Sequence, residues 1–82
     1  MPTLHRFDGL SVVIYPNDHR PAHVHVRGNG GEAIFILHCP DGPPELRETF
    51  GFRRAEVARI DEELTSLLTT LCQHWRTIHG HY

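Results

Sequence analysis

No stretch of this chain is long and apolar enough to exchange water for lipid. The longest apolar run, Ala33 to Leu37, falls far short of the about 20 residues that span a bilayer. The opening Met1-Pro2-Thr3-Leu4-His5-Arg6 has no apolar segment of export length, so the expected compartment is the cytoplasm. Cysteine is scarce too. Cys39 and Cys72 lie far apart, and without a sign of export they read as two reduced thiols rather than a bridge. Charge of either sign is not in excess: the net charge of −2 excludes a protein that holds nucleic acid by bulk electrostatics. Lysine is missing altogether, and all eight basic residues are arginine. Arginine's planar fork suits phosphate and carboxylate, but codon usage in a GC-rich genome is the simpler source of this bias. Repeats, linkers and low-complexity tracts are also absent, so residues 1–82 are expected to form a single domain with one small core.

What the chain has in excess is histidine, eight residues in all. Three of them fall in Asp18-His19-Arg20-Pro21-Ala22-His23-Val24-His25-Val26. The alternation from Ala22 onward predicts a strand, in which residues two apart share a face. His23 and His25 then project together, with Val24 and Val26 on the opposite face. Adjacent imidazoles can hold a metal, share a proton, or bind an anion once protonated. His19, His23 and His25 therefore form the candidate metal set for a zinc- or iron-type ion, with Asp18 or His38 as completing ligands. The same loop read as a binding surface consists of His19, Arg20, His23 and His25. His23 and His25 are also the candidate acid–base pair of a catalytic reading.

Two hairpins organise the first half. Asp8-Gly9 lies between Leu4–Phe7 and Leu10–Tyr15, and Asn29-Gly30 lies between Ala22–Arg27 and Glu32–His38. Such dipeptides favour the two-residue turn that needs positive φ at both central positions. If Asn29-Gly30 is the turn, Val24 faces Phe35, Val26 faces Ala33, His25 faces Ile34 and His23 faces Ile36. Arg27 then faces Glu32 as a cross-strand ion pair. The register also puts His38 on the histidine face. Cys39 to Pro44 is a loop, and Leu46 to Phe52 reads equally as an edge strand or an irregular segment.

From Arg53 to His79 the period changes. Val57, Ile60, Leu64, Leu67, Leu71 and Ile78 recur at steps of three and four, widened by Leu68 and Trp75. That pattern predicts one long amphipathic helix, about 39 Å at 1.5 Å per residue, stopped by Gly80. Its length beyond the sheet is available for a dimer contact. Arg59 and Glu63 make an i,i+4 pair, and His79-Gly80-His81-Tyr82 reads as a frayed end. The fold class is thus α+β: an antiparallel sheet of four to five strands, built from two hairpins, packed against one long C-terminal helix.

Locally, Arg20-Pro21-Ala22-His23-Val24-His25 resembles the stretch of intradiol ring-cleaving dioxygenases that gives two histidine ligands to iron. Those enzymes also need two ligand tyrosines, and only Tyr15 and Tyr82 exist here. His23-Val24-His25-Val26-Arg27 resembles the histidine-triad nucleotide hydrolases, with Arg27 in place of the third histidine. A wider resemblance covers nearly the whole chain. Arg6-Phe7-Asp8-Gly9-Leu10, then Ile14-Tyr15-Pro16-Asn17-Asp18-His19-Arg20-Pro21-Ala22-His23-Val24-His25-Val26, then Glu32-Ala33-Ile34-Phe35 and the closing helix resemble the bacterial domain of unknown function 4160 family. The resemblance implies a gene neighbourhood similar to toxin–antitoxin pairs, a small partner protein from the neighbouring gene, and autoregulatory DNA contact. It implies no catalytic mechanism.

The expected function is a small cytosolic binding protein of a two-gene, toxin–antitoxin-like module, acting through protein contacts and secondarily on nucleic acid. The alternative is a small hydrolase dependent on His23 and His25, with or without a metal. A third reading is a structural homodimer in which the loop histidines staple the seam.

Overall fold

The computed structural model describes residues 3–82. Five antiparallel strands, β1 (Thr3–Phe7), β2 (Leu10–Val13), β3 (His23–Gly28), β4 (Gly31–Ile36) and β5 (Glu45–Phe50), lie side by side in chain order. Helices α1 (Arg54–Ser66) and α2 (Leu68–His79) follow. The architecture is α+β.

Both hairpins turn where the sequence places them. Asp8 and Gly9 have φ of 50° and 79°, Asn29 and Gly30 have 52° and 82°, which matches the twist of the flanking strands. The Asn29 amide donates to Asp8 O at 3.1 Å and ties the two turns together at one end of the sheet. The β3–β4 register pairs His23 with Ile36, Val24 with Phe35, His25 with Ile34 and Val26 with Ala33, as the turn dictates. Within Leu46 to Phe52 the chain forms the edge strand as far as Phe50, and the pairing of β5 with β4 slips between Ile34 and Phe35. A similar slip lies in β1 between Thr3 and His5. Irregular edges of this kind resist pairing with other sheets.

Alternation decides the core. Val12, Val24, Val26, Ala33 and Phe35 are fully buried on the face that also receives Ile60 and Leu64 of α1. Leu71, Cys72 and Trp75 of α2 join the same cluster with Ile14, Ala22 and Leu37 at the end of the sheet.

The single long helix is not what forms. The chain breaks at Leu67, whose φ of −104° and ψ of 5° interrupt the α geometry. Its N–H is shared between Glu63 O and Leu64 O, each at 3.2 Å. The hydroxyls of Thr65 and Ser66 bond back to the carbonyls of Asp61 and Glu63 just before the break, a competition that bends helices. A straight helix of about 39 Å exceeds the longest dimension of the molecule, 33 Å. Bending at Leu67 brings Leu71, Cys72 and Trp75 into the core.

Two further expectations are corrected. Cys39 and Cys72 are joined as a disulfide, with Cα atoms 5.7 Å apart, because the bent α2 lies against the loop after β4. The C-terminal tail is not frayed: Gly80 caps α2 with φ of 87°, and the Trp75 indole donates to His81 O at 2.9 Å.

Candidate functional site

Strand β3 carries the centre of the site. His23 and His25 share one face, their rings 5.2 Å apart in an edge-on arrangement. His23 is 7% exposed and lies 5.2 Å from the ring of Trp75, so the end of α2 packs on it from the side. His25 sits further along the strand with Tyr15 edge-on at 4.8 Å.

Asp18 completes the group from the preceding loop. The turn from Tyr15 to Asp18 is closed twice: Asp18 N–H donates to Tyr15 O at 3.0 Å, and Tyr15 N–H donates to Asp18 Oδ2 at 2.9 Å. One carboxylate oxygen is thereby spent on the backbone. The other, Oδ1, lies 3.6 Å from His23 Nε2 and 3.4 Å from His25 Nε2. Among the described residues, Asp18, His23 and His25 form a group able to hold a metal ion, one donor atom from each lying within 4.8 Å of the others.

The rings are oriented from behind. His23 Nδ1 lies 2.8 Å from Pro21 O, and a carbonyl only accepts, so Nδ1 carries the proton. That leaves Nε2 of His23 pointing toward Asp18 with its lone pair. His25 Nδ1 lies 3.5 Å from Glu32 Oε2, long for a hydrogen bond. Both ring nitrogens of His25 are buried without a hydrogen-bond partner. Unmade bonds of this kind are uncommon in folded proteins and call for an explanation.

The candidate set changes by one residue. His19 and Arg20 are exposed on the loop that links Asp18 to β3, outside the group that Asp18 forms with the two strand histidines. Asp18, held by the Tyr15–Asp18 turn, is the loop residue that reaches the strand histidines. His38 is also displaced. Its φ of 52° takes it out of the strand, and it bonds Glu45 at 2.6 Å on the surface.

Arg27 and Glu32 face each other in register, yet each side chain finds another partner. The Arg27 guanidinium donates to the Tyr15 hydroxyl at 2.7 Å, while Glu32 turns to His25. Tyr15 foremost, then Glu32, holds Arg27 still more firmly in its charged form. Tyr15 and Glu32 escaped a reading confined to the histidine motif. The signal for Glu32 lay in the register itself, one step along from the Ile34 that faces His25.

Residues 9–76 match the family model described as Domain of unknown function (DUF4160). The chain belongs to that family. No curated protein and no solved structure matches it. The DUF4160 span takes in Tyr15, Asp18, His23, His25, Glu32 and both cysteines, and leaves out β1 and the C-terminal tail. Among the described residues, no helix is long and apolar enough to cross a membrane.

Proposed function

We propose that this DUF4160 protein is a small cytosolic binding protein of a two-gene, toxin–antitoxin-like module, which works by docking a protein partner on the uncovered face of its sheet. The observation that carries the reading is the state of that face. Helices cover one side of the sheet, and on the other only the end of α2 reaches round, where Trp75 meets His23. The other side presents Tyr15, Arg27, Glu32 and Phe50 around a shallow concavity of ≈ 520 Å³, with half-buried Ile34 and Ile36 beside it. Phe50 is 59% exposed. Tyrosine, phenylalanine and arginine are the residues enriched where proteins meet, and an antiparallel sheet that had no partner would carry polar residues on its wet side. The near-balanced charge favours a protein partner over nucleic acid.

The test is co-expression with the product of the adjoining gene, followed by size-exclusion chromatography. A stable complex that Phe50→Arg dissolves, with the melting temperature of the isolated chain unchanged, supports the reading. Failure to co-elute, or a complex indifferent to Phe50→Arg, overturns it. Sedimentation equilibrium of the chain alone settles the homodimer: a dimeric mass lost in Phe50→Arg assigns this face to a second copy instead.

A second reading, a small hydrolase working through His23 and His25, is favoured by the unpartnered ring nitrogens of His25 beside Asp18. Turnover of a phosphate or carboxylate ester, lost in His25→Gln, is its test.

A further inference from the structure

We infer that Asp18, His23 and His25 form a divalent-metal site, best suited to zinc, with three protein ligands and a fourth position left for water. The inference is independent of the partner-binding reading and stands whether or not the protein is hydrolytic.

Four observations converge on it. First, the two spacings from Asp18 to the histidines are close to those of a coordination shell, and all three donors lie within 4.8 Å of one another. Bonds of about 2.0–2.1 Å at tetrahedral angles place ligand atoms about 3.3 Å apart. Asp18 Oδ1 lies 3.6 Å from His23 Nε2 and 3.4 Å from His25 Nε2. These distances are too long for hydrogen bonds, yet close to what a shared ion produces.

Second, the polarity of the cluster calls for a cation at its centre. Pro21 O fixes a proton of His23 on Nδ1, so in the neutral ring, the form that ligates metal, the Nε2 lone pair faces a carboxylate oxygen. Lone pair and carboxylate repel unless a positive charge lies between them.

Third, one histidine has the outer partner that metal-bound histidines use, and the other has one within short reach. Such ligands almost always offer the second ring nitrogen to a carbonyl or a carboxylate. His23 has Pro21 O at 2.8 Å, and the carboxylate nearest His25 Nδ1, Glu32 Oε2, lies 3.5 Å away, just beyond hydrogen-bond contact. The oxygen of Asp18 that would not bind metal is held by Tyr15 N–H, so a single oxygen is presented.

Fourth, both ring nitrogens of His25 are buried without a hydrogen bond. An ion on Nε2 satisfies one directly. It also draws the ring toward Asp18 and polarises the Nδ1–H that faces Glu32. Asp18, His23 and His25 side chains are 13%, 9% and 15% exposed, so water competes weakly for the donors.

Zinc suits the set because tetrahedral sites with nitrogen and carboxylate donors and one water are its common open form.

Titration of the tag-free full-length chain with zinc by calorimetry tests the site, with cobalt as a spectroscopic probe of its geometry. The expected result is one zinc per chain and a tetrahedral cobalt spectrum. Asp18→Asn and His25→Gln should each weaken zinc binding at least tenfold, while circular dichroism shows the fold retained. His19→Ala and His81→Ala, which remove exposed histidines outside the cluster, should leave affinity within about twofold of the parent. His23→Gln is set aside as the deciding variant, because His23 is packed against Trp75 and its loss can unfold the chain. Absence of zinc binding by the parent overturns the inference. So does binding that survives in both Asp18→Asn and His25→Gln, or that is lost in His19→Ala.

Discussion

Glu63 is bonded by both His5 and Arg59, and its titration links acid stability to the contact of α1 with the sheet. His5 Nε2 lies 2.8 Å from one of its carboxylate oxygens and Arg59 Nη1 3.0 Å from the other. His5 foremost and then Arg59 hold the Glu63 carboxyl below its ordinary value of 4.5. The unfolded chain loses both partners, so the contribution is fully present above the ordinary value and is lost as pH falls through the lowered one. Melting temperature should therefore drop more steeply in acid for the parent than for Glu63→Gln. Parallel profiles for the two would show that these bonds do not outlast solvent screening. The Arg59–Glu63 pair was legible from i,i+4 spacing alone. The His5–Glu63 bond was not, since 58 positions separate its partners. Asp18 occupies a middle ground. Its place beside the histidines is a local consequence of the Tyr15–Asp18 turn, but its advantage over the neighbouring His19 depends on which way the loop enters β3.

At the scale of elements, Leu64 and Leu67 look interchangeable in the helical stripe and are not. Leu64 is fully buried under the sheet, whereas Leu67 is half-buried at the junction of α1 and α2. Leu64→Ala should cost roughly 2–5 kcal/mol, the range for a buried leucine. Leu67→Ala should cost clearly less. Urea denaturation of the two variants checks the order, and equal losses would mean that the junction is packed as tightly as the core. The strands and their register were legible because a two-residue turn fixes pairing and alternation then assigns each side chain to a face. The break at Leu67 left a fainter trace: Thr65 and Ser66 are poor helix interiors, but the apolar steps of three and four run through them without a gap.

For the molecule as a whole, the link between Cys39 and Cys72 closes a loop with a sequence separation of 33. Loop-closure entropy for that length amounts to about 3–4 kcal/mol at 25 °C. Reduction, or the pair Cys39→Ser with Cys72→Ser, should lower the unfolding free energy by about that much. An unchanged denaturation midpoint in reductant would show that the link adds nothing to the packing of α2 against the loop. Such a bond bears on compartment as well. A cytosolic protein ordinarily keeps its thiols reduced, so the thiol state of the protein taken directly from cells is the measurement that decides between the cytoplasm and an oxidising location.

The amino-acid sequence by itself determined the α+β class, both hairpins, the β3–β4 register and the face shared by His23 and His25. These are consequences of short-range rules: turn dipeptides set pairing, and a period of two or 3.6 assigns faces. Only the tertiary structure decided which loop residue joins those histidines, where the helix bends, that the two cysteines meet, and that Arg27 and Glu32 exchange each other for Tyr15 and His25. Each of these depends on side chains brought together by chain folding in three dimensions. A helix of about 39 Å cannot remain straight over a sheet this small and still bury Trp75. Once it bends at Leu67, the positions of Cys72 and of the ring that packs on His23 follow from it.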